Sequence, residues 1–554
     1  MSFSHKNFFK KKLIFYYKGI VNGKKNMSEK NIRYINEVKK ELINLNHKPY
    51  KFNFLNIFYE KYLNESSISK IKKIITSDAN PAPFVIQHIK DCIIRSNSKF
   101  FYQANYVTLP RPYIKFLKTK GFKLNYFKCF VSWNLYLLIL FLQSFIFFFK
   151  IIKKNFFKKN IKNFNQFIYF SLPLAKLDLK NIHSQNNFFF LNRIVDYFKI
   201  KNKNIIFKNK YKNEIYEIES INSNKILIRE DDLPLFENYF QLVFFILWFL
   251  LFSLFVMFAF FFGNYNYCLN FSDIIKIKIH KITNLKCIPS YYFFEYIGNL
   301  DKPMWVSFLE EYGTKFYTFH YSTNSEGYLT NKFTPIDESF HQQEPIIDHL
   351  VWDDYQRDIF QKINKNLKIY NIGPMLIHFQ KDYKKKIIIP DRYIAIFDIT
   401  PKRLIKNLSS SLYTTINSTN MKLFLNDINE LAKENNINIV FKTKRNFENI
   451  ENKDLLLKTD KSYLKNIKNL NYYDNFYIVP ADFDLINLIN RSTACISFPY
   501  TSVGVLAKIL GKKSIFYDPS LELINNTNFS NGVEVVTGKV ELRDWIENLN
   551  KKFN

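Results

Sequence analysis

Three polar loops in the last third of the chain carry side chains that suit an anion, and each loop follows a short apolar run. The residues concerned are Thr400 and Arg403 in the first loop, Lys442 and Lys444 in the second, and Pro499, Tyr500, Thr501 and Ser502 in the third. Hydroxyl groups, cations and the backbone N–H groups of a helix N-terminus are the groups that bind phosphate in proteins. Because the carboxyl ends of parallel strands meet at one edge of a sheet, we expect the three loops to form a phosphate site.

Simpler roles exist for each of these residues. Thr501 or Ser502 could be an ordinary helix N-cap, and Lys442 and Lys444 could be solvated charges in a chain that is rich in lysine. The coincidence of three such loops favours an anionic ligand, with Gly504 expected to let the backbone approach it closely. The glycine patterns of dinucleotide-binding and P-loop proteins do not occur in the sequence, which argues against an oxidoreductase and a P-loop NTPase.

The elements that would position these loops alternate between strand and helix from about residue 388. An amphipathic helix is predicted over 421–436, with Leu423, Ile428 and Leu431 on one face. Apolar runs predict the strands of this region at 393–400, 437–442, 476–480, 494–499 and 513–519. The alternation predicts a doubly wound, Rossmann-like α/β domain over 388–554.

The chain before residue 388 shows the same alternation more loosely, which predicts a second Rossmann-like domain over 96–387. A Lys- and Asn-rich helical extension is expected over 1–95. Two stretches of about 20 residues, 130–149 and 241–262, carry no charge and are long enough to cross a bilayer. They predict membrane association, and both a spanning and an interfacial arrangement remain open.

The charge balance is strongly positive, with 80 Lys and Arg against 48 Asp and Glu and a formal net charge of +32. Only 11 of the basic residues are Arg, and Lys is spread along nearly the whole chain. This pattern favours a compositional bias with some attraction to membranes, and no nucleic-acid partner, since a nucleic-acid binder needs a basic stripe with interleaved aromatics. The five cysteines show no paired spacing, which predicts a reducing, cytoplasmic location.

One segment carries a recognisable family signature. The run FPYTS, followed by VGVLAKILGKKSIFYDP, resembles the signature of the polysaccharide biosynthesis PFTS motif family of bacterial surface-glycan proteins. Other blocks similar to that family are FDITPKR, FKTKR and, more loosely, MWVSFLEEYGTKFYTFHYSTNS and VWDDYQRDIFQKI. The resemblance covers roughly residues 100–540, and Tyr500 stands where the motif has Phe, which keeps the aromatic face.

The resemblance implies a GT-B type glycosyltransferase, in which two Rossmann-like doubly wound domains face a cleft. The domain over 388–554 would hold a nucleotide-sugar donor, and the domain over 96–387 a glycan or lipid-linked acceptor. The implied activity is sugar transfer in cell-surface polysaccharide synthesis, at the cytoplasmic face of a membrane and without a metal or another cofactor. Two alternatives remain open: transfer of a polyol phosphate, as in teichoic-acid-like synthesis, and a non-catalytic binding subunit of the same fold.

Sugar transfer also needs a general base to deprotonate the acceptor hydroxyl. His320, at the end of a predicted strand, and Asp353, ahead of a predicted helix, are the two candidates. His320 could equally be a structural histidine, and Asp353 could serve only to open its helix. The pair Asp353–Asp354 has no third ligand at a spacing typical of metal sites, so no metal site is predicted.

Overall fold

The computed structural model describes residue 41 and the ranges 60–76, 106–119, 124–157, 167–171, 189–201, 204–208, 216–221, 224–229, 231–285, 287–295, 302–320, 322–323, 346–375, 389–401, 418–444, 461–481, 483–521, 523 and 530–551. Within these ranges the chain forms two sheets, of eight and six strands, with helices packed against them.

The N-terminal sheet has the strand order β3-β4-β2-β1-β5-β6-β7-β8. Its strands are β1 Phe167–Ser171, β2 Asn204–Lys208, β3 Tyr216–Ile221, β4 Asn224–Arg229, β5 Pro289–Glu295, β6 Lys315–Phe319, β7 Asp348–Val351 and β8 Lys368–Asn371. Neighbouring strands are parallel except β3 and β4. The order runs outward from β1 in both directions, so this sheet is doubly wound.

The C-terminal sheet has the order β11-β10-β9-β12-β13-β14, and every neighbouring pair is parallel. Its strands are β9 Ile394–Phe397, β10 Ile439–Lys442, β11 Phe476–Val479, β12 Ala494–Ser497, β13 Lys513–Asp518 and β14 Glu534–Thr537. The chain moves from β9 in one direction to β11 and then returns to the other side of β9 with β12. This is the strand order 3-2-1-4-5-6 of dinucleotide-binding folds, and its topological switch point lies between β9 and β12.

The helices connect these strands and cover the faces of both sheets. They are α1 Glu60–Thr76, α2 Arg111–Thr119, α3 Tyr126–Phe156, α4 Phe189–Tyr197, α5 Tyr239–Phe261, α6 Asn266–Ile282, α7 Met304–Glu311, α8 Asp354–Ile363, α9 Ser418–Glu434, α10 Lys461–Leu470, α11 Leu485–Arg491, α12 Ser502–Ile509 and α13 Gly538–Asn550. Helix α9 buries Ile428 and Leu431 as predicted, but Leu423 is exposed and Phe424 is buried instead. The prediction was wrong for Leu423 because it lies five positions before Ile428, and at 3.6 residues per turn this offset places it on a different face of the helix.

The two sheets share one contiguous cluster of buried side chains. Phe170 and Phe293 of the N-terminal sheet belong to the same cluster as Tyr393, Phe397 and Phe516 of the C-terminal sheet. The predicted fold class, two Rossmann-like domains facing each other with two apolar helices in the N-terminal half, is therefore confirmed. The exact boundaries at 95 and 387 remain predictions, and helix α1, within the predicted extension, packs on α6 through Ser66 and Asn270.

The two apolar helices form a layer with α6 on the N-terminal half. Helix α3 runs antiparallel to α5, because Phe145 contacts Phe249 and Phe148 contacts Phe245. Both helices pack on α6, in which twelve of seventeen residues are buried. In the most apolar stretches of α3 and α5, however, only 22% and 39% of the residues are buried, so each helix presents an apolar face to the outside.

Candidate functional site

The three predicted loops lie side by side at the switch point of the C-terminal sheet. Phe397, the last residue of β9, pairs with Lys442 of β10 on one side and with Ser497 of β12 on the other. The backbone N–H of Phe498 donates a hydrogen bond to the carbonyl oxygen of Phe397 at 2.9 Å. The structure therefore brings the loops that begin after Phe397, Lys442 and Ser497 to a single edge.

The turn between β12 and α12 depends on one residue with left-handed backbone geometry. Tyr500 has φ +59°, which is uncommon for a residue other than glycine and costs on the order of 1 kcal/mol or more. Thr501 then returns to extended geometry as the N-cap of α12, and its side chain makes no capping hydrogen bond. The predicted N-cap position is thus observed, but the capping bond is not.

Three buried hydroxyl groups at this edge have no hydrogen-bond partner among the described residues: Thr400 Oγ1, Ser497 Oγ and Thr501 Oγ1. We call Thr400, Ser497 and Thr501 the switch-point hydroxyls. A buried polar group without a partner costs about 1–3 kcal/mol, so native structures rarely keep one without a ligand, a water or a function. They lie on both sides of the switch point, because Thr400 follows β9 while Ser497 and Thr501 belong to β12 and the turn after it.

Ser502 lies where the two sheets meet. Its Oγ accepts a hydrogen bond from the backbone N–H of Thr323 at 3.0 Å, and the two hydroxyl oxygens are 3.4 Å apart. Thr323 belongs to the loop after β6 of the N-terminal sheet. Ser502 therefore makes an interdomain contact, and its predicted contact with a phosphate remains a prediction.

The lysines of the second loop differ in environment. Lys442 is buried, and its Nζ donates to the carbonyl oxygen of Ala481, so the interpretation as a solvated charge is wrong for this residue. Burial lowers the pKa of Lys442 to about 8, against the attraction of Asp398 and Asp484. Lys444 is exposed. A buried cation and an exposed one thus follow the same strand.

Asp398 is a buried carboxylate that sequence reasoning did not select. It follows β9 directly, and its Oδ2 accepts a hydrogen bond from the Tyr463 hydroxyl. Burial raises the pKa of Asp398 to about 7, while the positive charges of Lys444 and Lys442 oppose the shift. A carboxyl group that titrates near neutral pH at a switch point is suited to holding or passing a proton.

The remaining predicted phosphate ligands have mixed positions. Pro499 is buried and Tyr500 is half-buried, with its ring 5.7 Å from that of Phe516, and burial raises the pKa of Tyr500 to about 12. Arg403 lies outside the described residues. A Cβ at Gly504 would come within 2.4 Å of the Phe516 ring. This glycine is therefore required for packing α12 on β13, and the expected close approach of its backbone to a ligand remains a prediction.

His320 is a buried histidine with a histidine partner. Its Nε2 lies 3.0 Å from Nδ1 of His349, whose Nε2 lies 2.9 Å from the carbonyl oxygen of Ile346. A carbonyl can only accept, so in the neutral rings His349 Nε2 donates to Ile346 and His320 Nε2 donates to His349. The His320 carbonyl oxygen accepts from Trp352 Nε1 at 2.7 Å. His320 is only 2% exposed, and this arrangement fits a positioning role beside Trp352.

Asp353 connects the two domains. Its Oδ1 accepts from the backbone N–H of Gln356 at 2.8 Å, which makes it the N-cap of α8, as expected for a helix-opening residue. Both of its carboxylate oxygens also lie 3.0 Å from Nδ2 of Asn531, in the loop before β14. Burial raises the pKa of Asp353, and these hydrogen bonds oppose the shift. We call His320, His349 and Asp353 the N-terminal polar cluster.

Sequence reasoning missed the residues that join the two domains. Thr323 and Asn531 contact residues 179 and 178 positions away, and neither lies in a motif that pointed to such a contact. Among the described residues, no group of three or more His, Cys, Asp or Glu side chains is placed to hold a metal ion.

In comparisons with known proteins, the chain matches one protein family and several solved structures. Residues 252–546 match the family described as "Polysaccharide biosynthesis PFTS motif protein". A search of curated proteins finds no match. Solved structures similar to this chain include a glycosyltransferase from Rickettsia africae, with 13% identity over 71% of this chain and 90% of its own and a TM-score of 0.36.

Two further solved structures have similar statistics. Sucrose-phosphate synthase from Thermosynechococcus elongatus has 10% identity over 69% of this chain and 89% of its own, with a TM-score of 0.37. UDP-GlcNAc 2-epimerase from Methanocaldococcus jannaschii has 11% identity over 69% and 92%, with a TM-score of 0.32. Because these scores are low, the fold class rests on strand order and not on these similarities. The family match spans more than half of the chain and includes strands β5–β14, and the protein therefore belongs to the polysaccharide biosynthesis PFTS motif family.

Proposed function

We propose that the protein is a membrane-associated glycosyltransferase that transfers a sugar from a nucleotide-sugar donor to a glycan or lipid-linked acceptor. The observation that carries the proposal is the set of switch-point hydroxyls, buried and without partners among the described residues on both sides of the β9/β12 crevice. In doubly wound sheets this crevice is where ligands bind. Membership of the PFTS family supplies the context of polysaccharide synthesis.

In this proposal the switch-point hydroxyls and the N-terminus of α12 bind the donor phosphates. Backbone N–H groups at a helix N-terminus favour negative charge, and Lys442, Lys444 and Arg403 would add cations at the same edge. The same groups would stabilise the nucleoside diphosphate as it leaves, which is the charge that develops in the transition state. No metal ion or other cofactor is part of this proposal.

The acceptor would bind on the N-terminal side, where the loop after β6 reaches α12. Asp353 is the proposed general base, because its carboxylate lies at the contact between the two domains and faces Asn531 of the donor side. Its raised pKa favours proton uptake. His320, predicted as an alternative base, would instead hold Trp352, and thereby Asp353, in position through its backbone carbonyl oxygen.

Helices α3 and α5 would lie flat on the cytoplasmic surface of the bilayer. Both helices pack along α6, which carries Lys276, Lys278 and Lys281, and Lys278 Nζ lies 4.9 Å from the centre of the Phe244 ring of α5. A spanning arrangement would draw α6 into the hydrocarbon, where each charge costs about 2.5–3.5 kcal/mol or more. A flat arrangement buries the apolar faces of α3 and α5 and leaves α6 on the protein side.

The donor half is tested by thermal unfolding of the purified full chain with UDP-, GDP-, CMP- and CDP-linked sugars. A donor at a hundred times its Kd should stabilise the fold by about 2.7 kcal/mol and, for a chain of this length, raise Tm by about 2–3 °C. Thr400→Val combined with Lys444→Ala should abolish the shift. The matched control is Thr537→Val with Lys539→Ala, since Thr537 is a threonine at the carboxyl end of another strand of the same sheet, away from the switch point.

The outcome separates the open alternatives. If none of the nucleotide sugars raises Tm, the proposal is overturned. A shift only with a CDP-linked polyol would replace sugar transfer by polyol-phosphate transfer. Binding of a nucleotide sugar without release of nucleotide, even with membrane extracts as acceptor, would indicate a binding subunit.

A further inference from the structure

A cavity of about 550 Å³ lies at one end of the apolar helix pair, where α2 meets the start of α3 and the end of α5. Its volume is within the range of pockets that bind small molecules. Most of its lining is apolar or aromatic. The lining side chains that matter here are Pro110, Ile114, Trp133, Leu137, Phe260 and Tyr265.

The cavity is continuous with the outward-facing apolar surface of α3. Tyr126 and Phe130 line the cavity, yet they are 43% and 64% exposed. Further along α3, Leu138 and Phe149 lie on the exposed apolar surface. A hydrocarbon chain in a membrane that covers this surface would therefore reach the cavity without crossing water.

The rim of the cavity is positively charged. Arg111 is the one charged side chain among the described residues that line it, and Lys115 and Lys118 follow on the same face of α2 at helical spacing. Lys118 Nζ lies 3.6 Å from the centre of the Tyr126 ring, which places it beside the cavity. A guanidinium group binds phosphate through two parallel hydrogen bonds.

The charge of the surrounding sequence points the same way. Residues 92–177 contain fifteen Lys or Arg and no Asp or Glu, although the whole chain has an acidic residue about once in twelve positions. A general excess of lysine would not remove the acidic residues from this segment. The segment includes α2 and α3, so the basic bias coincides with the surface proposed to face the membrane.

We propose that this cavity binds one anionic membrane lipid, with a hydrocarbon chain among Trp133, Leu137 and Phe260 and the lipid phosphate at Arg111. The lipid would anchor the end of the helix pair and fix its orientation on the bilayer. The inference rests on the membrane association proposed above and is independent of sugar transfer.

The test measures binding of the full chain to vesicles of phosphatidylcholine, with or without phosphatidylglycerol. Added phosphatidylglycerol should tighten binding at least tenfold, because several basic residues lie near the surface. Arg111→Glu should weaken binding to the anionic vesicles about tenfold, while the matched reversal Lys468→Glu, on α10 of the other sheet, should leave it unchanged within about twofold.

Occupation of the cavity is read from tryptophan fluorescence with phosphatidylglycerol that carries brominated chains, which quench nearby indoles. Tryptophan fluorescence of the wild type should be quenched more than that of Trp133→Phe, because Trp133 lines the cavity. Asn134→Phe, which fills the cavity, should still bind vesicles but should be quenched no more than Trp133→Phe. Gln143→Phe, a similar substitution of an exposed amide residue of α3, should be quenched as strongly as the wild type. Melting curves of each variant verify folding.

Equal quenching in wild type and Asn134→Phe would overturn the lipid site and leave membrane binding intact. Equal affinity for neutral and anionic vesicles would also overturn it. Failure to bind any vesicle would overturn the membrane association itself. The donor-dependent thermal shift would be unaffected in each case, so these failures are distinguishable from failure of the donor site.

Discussion

The switch-point hydroxyls and the N-terminal polar cluster are both groups of buried or half-buried polar side chains in strands or in the loops after them, but they differ in how many of their polar atoms have a hydrogen-bond partner. Thr400, Ser497 and Thr501 have no partner among the described residues. His349, in contrast, is hydrogen bonded through both ring nitrogens. Asp353 accepts from a backbone N–H and from a side-chain amide.

The difference indicates which buried polar residues serve the fold and which are available to a ligand. A buried polar group that has its hydrogen-bond partners stabilises the fold, so its removal lowers the free energy of unfolding. A buried polar group without a partner destabilises the fold until a ligand binds it. Substitutions in the two regions should therefore have opposite signatures. Substitutions of the switch-point hydroxyls should alter the affinity for the donor, and substitutions in the N-terminal polar cluster should alter Tm. Asp353, as the proposed general base, is the exception, because its substitution should alter turnover.

The largest effect is expected for Asp353→Asn. The amide retains an oxygen for the Gln356 N–H but cannot accept a proton, so loss of a general base should reduce turnover by about 100- to 10,000-fold. The measurement is release of nucleotide from the donor identified by thermal shift, with membrane extract as acceptor. The donor-dependent rise in Tm should remain.

Asn531→Ala is the control for this prediction, because it removes the partner of Asp353 from the opposite domain without changing the carboxylate. Its turnover should fall far less than that of Asp353→Asn. Equal losses in both variants would mean that Asp353 acts only by joining the two domains.

A pH-dependent effect is expected at Asp398. Its pKa of about 7 in the folded protein lies above the ordinary value of 3.8, so between pH 4 and 7 the folded state binds more protons than the unfolded state. The contribution of the Asp398 carboxyl to the free energy of unfolding is therefore fully present below pH 4 and is lost as pH rises through 7. One pK unit corresponds to about 1.4 kcal/mol, so the loss is at most about 4 kcal/mol.

Asp398→Asn should remove this contribution and flatten the fall of Tm between pH 4 and 7. The comparison is confined to this window because Lys442, with a pKa of about 8, contributes an opposite slope only at higher pH. An unchanged slope in the variant would show that the carboxyl is ionised throughout.

A smaller effect on stability is expected for His349→Leu. The substitution leaves the Nε2 of buried His320 and the Ile346 carbonyl without their present partner, so it should cost about 2–3 kcal/mol and, for a chain of this length, lower Tm by about 2–3 °C. The matched control is His280→Leu, since His280 is also buried but neither of its ring nitrogens has a partner among the described residues. That variant should melt at the wild-type temperature or above it, and similar losses in both would contradict the comparison.

Much of the switch-point edge can be predicted from sequence because it depends on local patterns. A short apolar run followed by polar residues marks the end of a buried strand, and parallel strands place such ends together. The helix-opening position of Asp353 is likewise a local signal. These features depend on a few neighbouring residues, so a single sequence contains them.

Other features depend on contacts between distant parts of the chain. The contacts of Ser502 with Thr323 and of Asp353 with Asn531 exist only because two separately folded sheets meet. The burial of Lys442 similarly requires the carbonyl of Ala481 from the next strand's loop. No local propensity encodes such pairs, which is why one lysine that looked solvated is buried and one serine that looked like a phosphate ligand contacts the other domain.

The smallest effect, and the most direct test of the comparison, is expected for Thr501→Val. Valine keeps the shape of threonine but removes a buried hydroxyl that has no partner among the described residues, so Tm without ligand should stay constant or rise. Donor affinity should fall about tenfold, because a hydrogen bond to a charged phosphate is lost. Thr501→Ser restores a hydroxyl and should recover most of the affinity, measured as the donor concentration that gives half of the thermal shift. A variant that melts lower but binds donor normally would instead make Thr501 a residue of the fold, and the contrast with the N-terminal polar cluster would disappear.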